Sequence, residues 1–445
     1  MDPYLQYMYS YPHKTAYGPL AGVSLLDHAG ALAGDDLSLY LHIPFCETKC
    51  GYCNLFSVTG QGEEAVERYL DAVERQLGQY EQVLDVNGAA FADLTIGGGT
   101  PLFLNEEQLE RVFALVDSHV RFRPGRRIVV ETAPNQTTRM KIKILKEAGV
   151  TRVSMGVQSF SDRELEALWR HHSGAKAREA IELLRSYDLS CVNLDFIYGI
   201  PGQTVGSFLD TLTEALRYEP DELFIYPLYV KHGAGLFRQA GDGLVVDPQA
   251  AFAQYQEARA FLCGEGFRQD SMRRFVRQGG ARTPECGFSA SLALGCGGRS
   301  YLGDLHFCAP YAITQESCLT QIRRFEETVD HTQITHGIFL TEEEEKRRYV
   351  IRHLFIDPGL DLGQYGRRFS SSVLDDLPVV GQWIREGLVV RKEGTEGAFL
   401  ALTEAGMGYS DYLGPQLISP EIRARMDRWE VEHRDDPLQG QSEEL

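Results

Sequence analysis

From about residue 36 to 265 the chain repeats one pattern: a short apolar run, then a longer stretch with apolar residues three and four apart. The short runs predict strands at Leu37–Ile43, Leu94–Ile96, Arg127–Glu131, Arg152–Gly156, Val192–Tyr198 and Leu223–Tyr229. The longer stretches predict helices over Glu63–Val83, Glu106–Val120, Arg139–Ala148, Asp162–Trp169, Ala175–Tyr187 and Val205–Arg217, with another at Pro248–Cys263. Six successive strand–helix units predict an α/β fold. Its strands are parallel and its helices lie outside, closed into a barrel or left as an open sheet.

The pattern then changes. Residues 266–325 are rich in Gly, Cys and Ser and read as irregular. From about 340, TEEEEKRRYVIRHLF and SVLDDLPVVGQWIREG read as helices, and LVVRKEGTEGAFLALT as two strands around a turn at Glu393–Gly397. Helices followed by a hairpin suggest a small winged-helix-like α+β domain. The expected division is an N-terminal arm (1–35), the strand–helix repeat (36–265), an irregular connector (266–335), the C-terminal domain (336–430) and an acidic disordered tail (431–445).

Composition narrows the partners. Apolar residues make up 43% of 445, which is a globular composition large enough for several domains. The net charge of −19 repels a phosphate backbone, so nucleic acid is not an expected partner. No apolar run reaches the roughly 18–20 residues of a membrane helix. The aromatic, polar N-terminus has no signal-peptide pattern, so the expected location is cytoplasmic. In that compartment clustered cysteines read as metal ligands or reactive thiols before disulfides.

In parallel α/β folds ligands bind where the strands end. The first predicted strand runs into HIPFCETKCGYC, with Cys46, Cys50 and Cys53 inside eight residues. The second runs into GGGTP, residues 97–101, whose glycines let a backbone approach a ligand closely. The third ends at Glu131, the fourth leads to Gln158, the fifth carries Asp195 and the sixth ends near Tyr229. Carboxylates inside apolar strands are costly without a partner, so Glu131 and Asp195 read as site residues or as internal ion pairs. Three thiolates fit an iron–sulfur cluster with one iron left open. A structural zinc would need a fourth ligand, and His42 is more simply a strand residue.

The segments LYLHIPFC, GGGTP, RVSMGVQSF, VNLDFIYGIPGQT and LTEAGM, in that order, resemble the oxygen-independent coproporphyrinogen III oxidase and haem chaperone family. The CxxxCxxC spacing of Cys46, Cys50 and Cys53 is similar to that of radical S-adenosylmethionine (SAM) enzymes at large. The resemblance implies a partial (β/α)6 barrel with a 4Fe–4S cluster on the three cysteines. SAM would chelate the open iron. Tyr40 and Tyr52 would flank SAM, and Gly98, Gly99 and Thr100 would bind its amino end. Glu131, Gln158, Arg170, Asp195, Tyr229 and Arg299 fall at further contact positions. The implied reaction is one-electron cleavage of SAM to a 5′-deoxyadenosyl radical, which abstracts hydrogen from a substrate. The implied partners are a carboxylate-bearing tetrapyrrole, probed through coproporphyrinogen, and an electron donor such as flavodoxin or ferredoxin.

The chain departs from both branches of that family. Asn54, Leu55 and Phe56 follow Cys53, where the oxidases carry another cysteine. The region of Cys286 reads ECGFSASLALGCGG and lacks the histidine of the haem chaperones. Two alternatives to a tetrapyrrole enzyme therefore stand: a haem-trafficking protein that keeps the cluster, and a radical SAM enzyme with a peptide or small-metabolite substrate. In QDSMRRFVRQ, Arg273, Arg274 and Arg277 read equally as partners for substrate carboxylates or as solvated surface. Cys286, Cys296, Cys308 and Cys318 read as free thiols before a second cluster.

Overall fold

Every residue of Leu37–Ile43 except Tyr40 is buried, the pattern of a strand covered on both faces. It is one of sixteen strands among the described residues, which are 2–8, 10–33, 37–230, 234–240, 247–280, 290–394 and 397–433 of the computed structural model. In chain order these are β1 (Gly18–Ser24), β2 (Leu37–Ile43), β3 (Phe91–Gly98), β4 (Phe122–Thr132), β5 (Arg152–Gln158), β6 (Cys191–Tyr198), β7 (Glu222–Pro227) and β8 (Phe267–Gln269). There follow β9 (Arg274–Arg277), β10 (Ser291–Leu294), β11 (Arg299–Leu302), β12 (Leu305–Cys308), β13 (Gln333–Phe339), β14 (Leu360–Asp361), β15 (Val389–Gly394) and β16 (Gly397–Leu402).

Thirteen strands form one sheet in the order β1-β13-β12-β11-β10-β2-β3-β4-β5-β6-β7-β9-β8. Its centre, β2 to β7, is parallel throughout and keeps sequence order. Helices Glu63–Val86, Glu106–His119, Arg139–Glu147, the pair Asp162–Ala167 and Gly174–Arg185, and Val205–Leu216 carry the chain back between successive strands. The fold is a partial (β/α)6 barrel. Caps fix where these helices begin. Asn105 accepts from the Gln108 N–H while the Gln108 side chain accepts back from the Asn105 N–H, and Thr204 and Ser207 repeat the arrangement. The loops entering those helices, which leave the carboxyl ends of the strands, are anchored at both ends.

The stretch expected to be irregular, from 266, is instead strand-rich. β8 and β9 extend the sheet antiparallel beyond β7, and β10 to β13 extend it beyond β2. Helix Gln315–Glu327 lies in the same region. Strands β8 to β12 are three or four residues long, too short to show alternation, and long-range pairing specifies them.

β14, β15 and β16 form a separate three-stranded antiparallel sheet beside helices Glu342–Leu354, Leu362–Phe369 and Pro378–Arg385, a winged-helix-like unit. The expected single helix over SVLDDLPVVGQWIREG is broken before Pro378, which opens the second piece because its ring cannot donate within a helix. The turn at 395–396, the segment around Cys286 and the tail from 434 lie outside the described residues.

Three apolar clusters result among the described residues, the smallest of them Leu168, Ile197, Ile200 and Leu228. The largest lies between the barrel strands and their helices. The second joins Tyr11, Ala16 and Tyr17 of the N-terminal arm to the C-terminal helices.

Candidate functional site

The GGGT turn closes against the cysteine loop because its residues lack side chains. A Cβ on Gly99 would stand 2.7 Å from the Phe45 carbonyl oxygen and 3.0 Å from Cys46 Sγ. A Cβ on Gly97 would stand 2.9 Å from the Glu131 carboxyl carbon. The turn is held by Gly99 N–H donating to Ile43 O (2.8 Å) and Thr100 N–H donating to Phe45 O (2.9 Å). The cysteine loop is pinned at several points. Cys46 N–H donates to Val58 O at 2.9 Å, Cys53 N–H to Cys50 O at 3.1 Å, and Gly51 N–H to Leu168 O at 3.0 Å. Lys49 Nζ donates to Ile313 O (2.5 Å) and Ser57 O (3.2 Å).

A cavity of about 470 Å³ opens at the carboxyl ends of the strands. The three cysteines, Tyr52, Gly98, Gly99 and Thr100 line one side. Glu131, Gln158, Arg170, Asp195 and Tyr229, each from a different strand-end segment of the sequence reading save Arg170, line the rest. Gln158 takes a φ of 71°, a conformation rare for a residue with a side chain and often found where a site constrains the backbone. Tyr229 lies two residues past the end of β7, not within it.

Two residues of the sequence reading do not line this cavity. Tyr40 turns its hydroxyl to His42 Nδ1 (3.2 Å). His42 Nε2 lies 2.9 Å from Phe56 O. A carbonyl only accepts, so Nε2 carries the hydrogen and Nδ1 accepts from Tyr40. Burial pushes His42 down to about 3, which keeps the ring neutral. Arg299 is turned to the N-terminal arm, donating to Ser10 Oγ (2.5 Å) and Pro12 O (3.1 Å).

The two carboxylates sit in contrasting surroundings. Burial pushes Glu131 up to about 7, against the Gly98 N–H that donates to its Oε2 at 3.2 Å. Burial pushes Asp195 up to about 6, opposed chiefly by Asn193, whose Nδ2 donates to Oδ1 at 2.7 Å. Ser154 donates to Asp195 Oδ2 at 3.3 Å. Sequence reading passed over Ser154 and Asn193. Asn193 stands two residues from Asp195, and Ser154 two from Gly156, which pairs with Asp195 across the two strands, so period-two alternation places both on the face of Asp195. Tyr226 of β7 also lines the cavity and was passed over in favour of Tyr229, and Tyr7 and Tyr311 were missed because they come from distant segments.

The arginine segment is neither solvated nor turned to the cavity. Arg273 is buried against Asp411 and lies 3.7 Å over the Tyr7 ring. Arg274 bridges Glu222 (2.5 Å) and Asp270 (3.2 Å). Arg277 donates to Pro220 O at 3.1 Å.

The donor set suits a cluster with an open iron. Three thiols gather on one loop, and Gly99 leaves the space beside Cys46 that a side chain would fill. Burial holds the Cys46 thiol at about 12, so a metal's charge is what would draw it to the thiolate. Arg170 Nε is buried beside this space with no hydrogen-bond partner. Among the described residues no side chains converge on a single-ion site, whereas the ligands of a cubane reach three different irons.

Residues 40–215 match the radical SAM superfamily. The chain is 27% identical over 415 residues to the oxygen-independent coproporphyrinogen III oxidase of Escherichia coli, spanning 86% of this chain and 88% of that one. It is 31% identical over 253 residues to the heme chaperone HemW of Mycobacterium tuberculosis, spanning 56% of this chain and 64% of that one. The solved structure of the E. coli coproporphyrinogen III oxidase, a radical SAM enzyme, superposes with a TM-score of 0.79 over 92% of this chain at 24% identity.

Proposed function

We propose that this chain, a radical SAM protein, is an oxidoreductase acting on a tetrapyrrole of the porphyrinogen type. The observation that carries the reading is the single cavity that joins the three cysteines to the GGGT turn, Glu131 and Asp195. The tetrapyrrole reading adds the likeness to the oxidase, which runs nearly end to end, whereas the likeness to the chaperone covers little more than half of this chain.

The cofactors are a 4Fe–4S cluster and SAM. When bound, they supply one-electron cleavage of a sulfonium and hence a carbon radical able to take hydrogen from a substrate. The chain's own residues hold and shield. Cys46, Cys50 and Cys53 are the proposed cluster ligands. Gly98, Gly99 and Thr100 offer backbone and hydroxyl groups to the amino acid end of SAM. Glu131 and Asp195 offer carboxylates to its cationic groups. Tyr52 covers the cluster side. Tyr7, Tyr226 and Tyr229 form the apolar rim where a flat macrocycle would rest. An electron donor such as flavodoxin or ferredoxin would supply the reducing equivalent.

The test is anaerobic reconstitution with iron and sulfide, then dithionite and SAM, with 5′-deoxyadenosine measured by chromatography and Cys50→Ala as control. Wild-type product that rises with added coproporphyrinogen supports the reading. Tight haem binding without any product would move the assignment to trafficking. A rise only with other metabolites would move the substrate.

A further inference from the structure

Helix Asp162–Ala167 ends in a turn that favours glycine, and the residue there is tryptophan. Trp169 N–H donates to Glu166 O at 3.0 Å and Arg170 N–H to Leu165 O at 2.9 Å, the paired bonds of a helix stop that turns through the left-handed region. Trp169 makes that turn with a φ of 55°. Such a φ is an outlier for a bulky residue, and it persists where the surroundings over-determine the backbone. Trp169 is only half-buried, so core packing does not account for it.

Its neighbours do account for it. The indole is wedged between two glycines from separate segments. A Cβ on Gly51, in the cysteine loop, would stand 2.8 Å from Trp169 Cδ2 and 2.6 Å from Leu236 Cγ. A Cβ on Gly235, which opens helix Gly235–Ala240 beyond β7, would stand 3.0 Å from Trp169 Cη2 and closer still to Cζ3. Neither glycine takes a left-handed φ, so each is small for the sake of close approach.

Backbone bonds close the same stack. Gly51 N–H donates to Leu168 O at 3.0 Å, and Leu236 N–H donates to Gly51 O at 2.7 Å. Gly51, directly after Cys50, is thus held from two sides by two different loops. Arg170, the next residue after the tryptophan, reaches Cys50 Sγ at 3.1 Å. Three consecutive residues therefore serve one loop: Leu168 through its carbonyl, Trp169 through its ring and Arg170 through its guanidinium.

We propose that Trp169 is a positioning residue for the cluster. Its ring fixes Gly51, and with it the Cys50–Cys53 half of the loop, and it keeps Arg170 on Cys50 Sγ. The inference rests on the cluster reading of the three cysteines. Contacts that support a metal ligand hold the metal, and hydrogen bonds to cluster sulfurs set the reduction potential. The wedge therefore acts on how fast iron leaves and on the potential at which the cluster is reduced.

The test compares the anaerobically reconstituted full chain with Trp169→Gly, Trp169→Phe, Gly235→Val and the double variant Trp169→Gly/Gly235→Val. Glycine suits the helix stop, so Trp169→Gly removes the ring without harming the turn. The wild type should load about four irons per chain. Trp169→Gly and Gly235→Val should each lose iron to a chelator at least about tenfold faster than wild type, and their midpoint potentials in an EPR-monitored titration should shift. Trp169→Phe, which keeps a ring, should stay near wild type. The double variant should be no worse than either single one, because the valine then has no ring to displace. Wild-type iron release and potential in Trp169→Gly overturn the inference, and so do multiplied effects in the double variant. A wild type that takes up no iron sinks the cluster reading instead. In that case, or should a variant fail to load, hydrogen exchange on the empty chains decides. Joint loss of protection at the Gly51 and Leu236 amides in Trp169→Gly supports the wedge, and unchanged protection overturns it.

Discussion

Arg170 donates from Nη1 to Cys50 Sγ across 3.1 Å and from Nη2 to the Gly156 carbonyl, so one guanidinium joins the cysteine loop to the fourth strand of the barrel. Removing such a supporting contact typically costs about 10–100-fold in metal affinity or activity. Arg170→Ala should lower deoxyadenosine formation by that factor, and Arg170→Lys should recover little, because an ammonium cannot span both acceptors as a planar fork does. Rates per reconstituted cluster check this; a wild-type rate in Arg170→Ala would sink the role.

Each of Cys46→Ala, Cys50→Ala and Cys53→Ala should abolish the loaded cluster, while Cys296→Ala and Cys318→Ala should not. Iron analysis after anaerobic reconstitution checks it, with about four irons per chain expected for the wild type and for the last two variants.

If Glu131 and Asp195 meet SAM as proposed, their raised pKa values should give its binding a pH dependence. Burial holds them at about 7 and about 6, so the empty cavity keeps protons that a cationic ligand must displace. A bound sulfonium and ammonium favour the carboxylate form, so binding releases protons. Affinity should rise between pH 6 and pH 7 and level off above. Titration calorimetry in buffers of different ionisation enthalpy measures the release. In Glu131→Gln the dependence near pH 7 should vanish.

The same carboxyl group should weaken the empty protein as pH rises. Its folded pKa of about 7 lies above its unfolded one near 4.5. The folded state therefore binds more protons across that window, and stability falls as pH climbs through it. At pH 8, Glu131→Gln should raise the melting temperature of the SAM-free protein, with a gain on the order of 1–3 kcal/mol. At pH 4 the two proteins should melt together.

Asp411, on the short helix Ser410–Leu413, accepts from both Tyr229 and Arg273 and is almost fully buried. Asp411→Ala leaves Arg273 charged and buried, a loss of about 3–5 kcal/mol. Joint replacement Arg273→Met/Asp411→Leu should recover much of it. Denaturant unfolding of the three proteins tests this, and additive losses would show that the pair is not a unit.

Sequence fixed what is local. Short apolar runs between stretches of helical spacing located all six parallel strands, and the bounds of helix Glu106–His119 differ from expectation by one residue. The cysteine spacing and the glycine run could be read because each acts through neighbours in the chain. Other features depend on distant pairing. Four-residue strands such as β10 and β11 exist only because β2 and β12 lie beside them. Arg299 carries the same charge wherever it points, and only the packed N-terminal arm, through Ser10 and Pro12, turns it away from the cavity. Arg273 and Arg274 looked like surface or substrate ligands until Asp411 and Glu222, over a hundred and some fifty residues away in sequence, closed on them. Composition and spacing decide which groups are present and on which strand face. Whether a buried charge meets a ligand, a carboxylate or a carbonyl is decided by tertiary contacts, since desolvation forces each charge to take whichever partner the fold brings within reach.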